Sequence, residues 1–278
     1  MKADIYQIIT EKLIASLEKG VNPWRKPWKS GGIPRNAITG RGYSGINYFL
    51  LSAHGGGKFL TYKQAQGLGG TVRKGEKGCP VVFWNWIEKE KNGKTDKIPF
   101  LKYFTVFSVD QCEGLELPSE EGEEKLDFIP IESAEETIAK TGADIRYGGN
   151  QAFYVPLFDH IALPKRESFN DIASYYGTAF HELIHWTGHT SRLARKGIEA
   201  VAPFGSTIYS KEELIAEMGA AFLCGQHGID STIENSAAYL QGWIKALKGD
   251  SKLALQAASA ASKAADFILG KKTEEKEA

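Results

Sequence analysis

Near the start of the chain, Ile5, Ile8, Ile9, Leu13 and Leu17 recur at helical spacing within residues 4–19. That pattern predicts an amphipathic helix, and Gly20 follows in the C′ position where helices commonly stop. Residues 21–41 lose the period and mix Trp, Pro, Gly and basic residues, the signature of a loop. Residues 43–53 are apolar but interrupted and predict a short helix. Thr61-Tyr62-Lys63-Gln64 has the form of a capping box, and its helix runs out in Gly67, Gly69 and Gly70. Residues 81–86 and 98–109 read as two strands. The polar stretch between them holds Asn92-Gly93, a hairpin-turn signal. On the first strand Val82, Trp84 and Trp86 share one face.

The pattern breaks at residues 112–125, which are acidic, contain Pro118 and Gly122, and have almost no apolar positions. This stretch reads as a linker. Beyond it, Ser133-Ala134-Glu135-Glu136 suggests another capping box, with Gly142 ending the helix. Strand signals follow at residues 145–147, 152–155 and 160–163, with a turn at Gly148-Gly149-Asn150. The remainder is helical. One helix starts near Asn170, capped by Asn170 or Ser168; others start at Ser210, near Thr232 and after Asp250, with Gly249 and Gly270 as stops. The expected fold is α+β in two domains. Residues 1–111 form a small mixed α/β domain, 112–126 an acidic linker, 127–270 a mostly helical domain with a small sheet, and 271–278 a charged mobile tail.

Charge sharpens this division. The formal net charge is zero, yet residues 1–111 hold 18 Lys and Arg against 8 Asp and Glu, while the rest holds 16 against 26. A basic module facing a polyanion and an acidic module with a different task account for such a split. The three cysteines, Cys79, Cys112 and Cys224, are far apart and form no CxxC pair. That excludes a disulfide framework and a cysteine-ligated metal, and fits a reducing cytoplasm. No apolar run approaches the roughly 20 residues of a membrane span, and the first residues lack a signal-peptide core.

Chemistry concentrates in His181-Glu182-Leu183-Ile184-His185, an HExxH pattern on a predicted helix. Histidines at i and i+4 lie on one face, about 5–6 Å apart at Cβ, and can reach one Zn²⁺. Glu182 sits one position round from His181. Zinc lowers the pKa of a water molecule to about 7, and Glu182 is placed to take its proton and pass it to a leaving amine. Zinc needs a third protein ligand and an open position. Glu213 is the leading candidate, because Glu213 and Glu217 are i,i+4 on the helix that begins at Ser210. One would bind the metal and the other would hold an imidazole by its second nitrogen. Glu213 can also be read as the capping-box partner of Ser210. His189, a further four residues on, competes poorly: three such histidines stretch over about 12 Å. Tyr209 precedes the acidic pair and is a candidate donor to a developing oxyanion.

In the basic half, cations alternate with aromatics. Trp24, Arg25, Lys26, Trp28 and Lys29 are the densest group, followed by Arg35, Arg41 and Tyr43, then Tyr62 and Lys63, then Arg73, Lys74 and Lys77. Cations meet phosphates and rings stack on bases, so these are candidate contacts to single-stranded DNA with little sequence preference. Trp84 and Trp86 rank below the loop residues, since core packing is the default for a strand tryptophan. GxxxxGK[ST] is absent, which leaves nucleotide hydrolysis without support.

The sequence resembles the plasmid-encoded antirestriction proteins of the ArdC type over nearly its whole length. In the first half the resemblance rests on Pro23-Trp24, Pro27-Trp28, the run from Thr39 to Asn47, Thr61 to Ala65 and Val72 to Gly78; this half is also similar to the N-terminal region of certain conjugative-plasmid primases. In the second half it rests on HELIHWTGH from His181 to His189, on Ser191-Arg192-Leu193 and on Glu212 to Glu217. It implies an N-terminal single-stranded-DNA-binding domain, a C-terminal zincin-like domain, and protection of incoming plasmid DNA from host restriction during conjugation. It also supports Glu213 over Glu217 as third ligand. Two functions follow as expectations. One is a zinc-dependent peptidase tethered to single-stranded DNA, with a host restriction-system protein as substrate. The other is a non-enzymatic protein that occludes DNA and keeps a structural or silent zinc site.

Overall fold

The computed structural model describes residues 5–19, 33–91, 94–117, 130–169, 171–199, 207–229 and 237–271. The expected Gly20 stop and the Asn92-Gly93 turn lie outside them. The architecture is α+β with two compact units.

Helix α1 (Ile5–Glu18) opens the chain. The first unit then runs through β1 (Arg35–Asn36), α2 (Ile46–Ser52), β2 (Lys58–Thr61), α3 (Tyr62–Gly67), β3 (Thr71–Val72), β4 (Cys79–Lys91), β5 (Lys94–Ser108) and β6 (Cys112–Glu113). Its main sheet has the order β1-β2-β5-β4, with β1 parallel to β2 and the other pairs antiparallel. Phe49 and Leu51 of α2 are buried, as are Phe59, Leu60, Val81 and Val106 of the sheet. Beside the sheet, the Asn47 amide donates to the Val82 carbonyl at 2.7 Å and accepts from the Val82 N–H at 2.8 Å. It thus satisfies backbone groups that β5 leaves unpaired on the outer edge of β4. The capping box of α3 is complete: Thr61 accepts from the Gln64 N–H, and the Gln64 side chain accepts from the Thr61 N–H.

The acidic stretch after residue 111 is not all linker. Cys112 and Glu113 form β6 and pair with Val72 and Thr71, and the Glu116 N–H donates to the Leu68 carbonyl at 2.8 Å. Gly70 permits this return. A Cβ there would meet Leu115 Cδ2 at 2.5 Å and the Glu113 carbonyl at 2.8 Å.

The second unit contains α4 (Pro130–Thr141), β7 (Asp144–Tyr147), β8 (Phe153–Val155), β9 (His160–Leu163), α5 (Ile172–Thr187), α6 (Lys196–Glu199), α7 (Thr207–Gln226), α8 (Ala237–Gly249) and α9 (Leu253–Ile268). The sheet order is β7-β9-β8, with β9 parallel to β7 and antiparallel to β8. The core lies between α5, α7 and α9. Phe180, Leu183 and Ile184 of α5 and Leu214, Met218 and Leu223 of α7 are fully buried, and Ala254, Ala257, Ala258, Ala261 and Ala264 of α9 form a low, fully buried face. Small residues at a helix crossing let axes approach closely, toward about 8 Å.

Three expectations change here. Helix α1 packs with the second unit, although residues 1–111 read as one module. The Thr10 hydroxyl donates to the Ser251 carbonyl at 2.8 Å, Lys248 pairs with Glu18 at 2.7 Å, and the Lys252 ammonium lies 5.8 Å from the Tyr6 ring centre. Ser133 does not cap α4, because the helix already starts at Pro130, a residue well suited to a first turn; its hydroxyl lies 2.8 Å from His227 Nδ1. And α5 is capped by Asp171, whose carboxylate accepts from the Ser174 N–H at 2.7 Å.

Candidate metal centre

The cap at Asp171 fixes where α5 begins, and therefore which face His181 and His185 share. Their Nε2 atoms converge to 3.1 Å. Across from them α7 presents Glu213, with Oε2 3.6 Å from His181 Nε2 and Oε1 3.5 Å from His185 Nε2. Donor atoms of the three residues all lie within 4.8 Å of one another. Two ligands bonded tetrahedrally to one zinc at about 2.0–2.1 Å sit roughly 3.3 Å apart. The spacings observed bracket that value, so the donor set fits a divalent metal of this size.

A close helix crossing makes this possible. A Cβ on Gly219 of α7 would lie 2.5 Å from Ile184 Cδ1 of α5. Ile184 stands between the two histidines, and Gly219 follows Glu213 and Glu217 on the same helix. The bare Gly219 backbone lets the carboxylate-bearing helix reach the imidazoles.

The outer imidazole nitrogens are also engaged. Glu217 Oε1 lies 3.6 Å from His181 Nδ1, and Glu212 Oε1 lies 3.4 Å from His185 Nδ1. Glu212 is buried and ion-paired with Arg195, whose Nη2 donates to Oε1 at 2.6 Å. The same guanidinium donates to the Ile184 carbonyl at 2.6 Å and the Thr187 hydroxyl at 2.7 Å. It therefore caps the end of α5 while holding Glu212 behind His185. Burial pushes the Glu212 carboxyl up, but the bonds from His185 and Arg195 prevail and hold it below its ordinary value.

His181 shows what the cluster does to charge. Burial alone would lower its pKa; the Glu213 bond and the charges of Glu217, Glu182 and Glu213 outweigh that and raise it to about 9. Carboxylates gathered around two imidazoles make a site that draws a cation, and without a metal the cation is a proton on His181.

The remaining predicted residues fall as follows. Glu182 is buried beside His181. Tyr209 lies in the first turn of α7, and its side chain is outside the described part. Because α7 begins at Thr207, Ser210 is inside the helix and does not cap it, which removes the capping reading of Glu213. His189 is turned away into the loop after α5, where its Nδ1 accepts from the Ser191 N–H at 3.2 Å. Arg192 stacks 3.9 Å over Trp186 and pairs with Asp159, which binds this loop to the β8–β9 connection. Glu212 and Arg195 were not legible as site residues from spacing; the Glu212-Glu213 doublet was their one signal.

Of the candidate DNA contacts, Trp24, Arg25, Lys26, Trp28 and Lys29 lie outside the described residues. Arg41, Tyr62, Lys63, Lys74 and Lys77 are exposed. Tyr43 is half-buried, and burial pushes its hydroxyl up against a smaller lowering from Asn36. Arg73 pairs with Glu76 at 3.0 Å, so its charge is partly spent within the fold. Alternation along the hairpin did not single out Phe83, Tyr103 and Phe104, all of which are exposed.

Fold and site together define a two-domain protein whose second domain is a zincin-like metallopeptidase domain. Residues 132–260 match the family model described as "Zincin-like metallopeptidase", and residues 3–107 match "N-terminal domain of anti-restriction factor ArdC". Two solved structures of the antirestriction protein ArdC from plasmid R388 are similar throughout. The metal-free one is 41% identical, with a TM-score of 0.80 over 96% of this chain and 97% of that one. The Mn(II)-bound one is 40% identical, with a TM-score of 0.78 over 98% and 99%. The DNA primase TraC of Escherichia coli is 39% identical over 97% of this chain, which spans only 27% of that protein's length. The chain belongs to the ArdC family of antirestriction proteins. Among the described residues no helix is long and apolar enough to cross a membrane.

Proposed function

We propose that the protein protects incoming plasmid DNA in the recipient cytoplasm in two ways at once. Its first unit holds single-stranded DNA, and its second cleaves a peptide bond in a protein of the host restriction system. The observation that carries this reading is the convergence of His181, His185 and Glu213 with Glu182 retained beside them, since a purely structural site does not need a general base. His181, His185 and Glu213 would hold the metal, with zinc as the expected ion and manganese as the alternative that a relative's structure suggests. A metal there supplies Lewis acidity and lowers the pKa of water to about 7. Glu182 moves the proton at its carboxylate, from the nucleophile to the leaving amine. Glu217 and Glu212 keep the two imidazoles oriented through Nδ1. Tyr209, one turn before Glu213 on α7, would donate to the oxyanion.

The test is Glu182→Ala, assayed for protection against restriction beside wild type, with elemental analysis of both. Retained metal with lost protection is expected. Full protection by a metal-loaded Glu182→Ala protein would overturn the peptidase reading and leave DNA occlusion as the function.

A further inference from the structure

The hairpin of β4 and β5 carries an aromatic face that neither the loop tryptophans nor the strand tryptophans account for. In the register of the hairpin, Val81 stands opposite Phe104 and Phe83 opposite Lys102. Residues opposite each other in an antiparallel pair share a face, so all four lie on one side of the sheet. Val81 is fully buried at the sheet's packed end. The cover ends beside it: Phe83, two residues along β4, is 43% exposed, and Phe104, opposite Val81 on β5, is 39% exposed. Their rings meet edge to face at 5.7 Å between centres, 66° apart. The Lys102 ammonium lies 5.1 Å from the Phe104 ring centre.

An isolated surface phenylalanine needs no explanation, but two in contact, with a cation over one of them, do. An edge-to-face pair turns its two rings in different directions, so each has a face to offer a separate base. The ammonium–ring contact is weak at an exposed site, and among the described residues no carboxylate lies within ion-pairing distance of Lys102. A phosphate would capture it by a stronger, charge-assisted bond. β2 ends at Thr61, opposite Val106 of β5, and α3 begins at the next residue with the exposed Tyr62 and Lys63. Residues 33–117 carry twelve Lys and Arg against seven Asp and Glu, which favours a polyanionic occupant over a basic or neutral one.

We infer that the Phe83–Phe104 pair is a base-stacking platform for single-stranded DNA, with Lys102 as its phosphate contact. The platform rests on the reading that the first unit holds single-stranded DNA, and it says where on the sheet the strand lies. Rings stack on any base, so the platform grips without reading sequence.

The experiment is titration of fluorescent oligothymidylate with the full-length protein at several salt concentrations. Four variants are compared with wild type: Phe83→Leu with Phe104→Leu, Phe104→Trp, Lys102→Ala and Trp24→Ala. Leucine keeps apolar bulk in place while removing the ring. The leucine pair should bind at least tenfold more weakly with an unchanged salt slope, and Phe104→Trp should bind as well as wild type or better. Lys102→Ala should lower the salt slope by about 0.7. Irradiation of an iododeoxyuridine-substituted oligonucleotide should crosslink to Phe83 or Phe104 in wild type, which a fold defect in a variant cannot imitate. Wild-type affinity in the leucine pair overturns the platform, and so does crosslinking confined to other residues. If wild type itself binds no single-stranded DNA, the broader reading of the first unit fails as well, so the two failures are distinguishable.

Discussion

Glu212 and Arg195 form a buried ion pair directly behind His185, and neither residue belongs to the metal-binding pattern itself. The pair links the imidazole to the end of the helix that bears it. Removing one partner of such a pair strands a charge in a dry interior, at a cost of about 3–5 kcal/mol. Arg195→Ala should therefore lower the melting temperature strongly. Glu212→Gln keeps the shape and a hydrogen-bond acceptor, and should cost less stability while weakening metal affinity about 10–100-fold, the usual effect of losing a carboxylate behind a ligating histidine. Competition with a chromogenic chelator measures the affinity. An unchanged affinity in Glu212→Gln would mean that the contact to His185 is idle.

The crossing of α5 and α7 gives a second prediction. Gly219→Ala places a methyl group against Ile184 and should cost about 1–3 kcal/mol, as overpacked cores do. It should also loosen the metal site by moving Glu213 away from the histidines. Adding Ile184→Val removes one methyl group at the point of collision and should restore part of both losses. Paired melting curves and metal stoichiometries decide it, and a Gly219→Ala protein with full stability and occupancy would contradict the role given to this glycine.

A pH dependence follows from His181. Its pKa rises from 6.5 to about 9 in the metal-free protein. The folded state thus holds this proton more tightly than the unfolded state does. The resulting stability is fully present below pH 6.5 and is lost as pH climbs to about 9. Chelator-treated protein should melt at progressively lower temperature across that window, while metal affinity rises as the competing proton leaves. A flat melting temperature from pH 6.5 to 9 after chelation would show that His181 is not protonated there.

Asn47 supports the outer edge of β4 in the first unit. Asn47→Ala leaves both the N–H and the carbonyl of Val82 without their partners, each worth about 1–3 kcal/mol when buried. Asn47→Asp keeps the acceptor and loses the donor, and should fall between wild type and alanine. Hydrogen exchange at the Val82 amide should accelerate in the alanine variant; unchanged protection would show that another group takes over.

What the sequence disclosed depends on how far apart the interacting groups lie along the chain. The spacing of His181 and His185 is set within one helix, and the Glu213–Glu217 pair within another, so period alone placed each pair on one face. Which acidic residue meets which nitrogen was not written locally. Glu212 and Glu213 are adjacent on α7, yet they serve opposite sides of His185, because a whole imidazole fits between them once the helices cross. Arg195 reaches its partners from a turn beyond α5, where no periodic pattern signals its direction. The stripe on α1 showed that the helix is buried but not against what. Ser133 carried the right residues for a cap, and Pro130 overrode it by starting the helix earlier. The exposed rings of Phe83 and Phe104 sit in two paired strands, β4 and β5, whose alternation looks like that of any core strand.

The partnership of α1 with α8 and α9 has a consequence for biosynthesis. The hydrogen bond from Thr10 to Ser251 spans 241 positions, and the Lys248–Glu18 contact spans 230. During translation α1 must wait for some 230 further residues before its docking face exists. The four strands of the sheet carrying Phe83 and Phe104 all lie within residues 35–108 and can pair while synthesis continues, as domains commonly do. Glu213 and its supporting helices arrive later. A newly made molecule therefore acquires the sheet of its first unit before its metal-ligand cluster, and a nascent chain can hold His181 and His185 before Glu213 has been made.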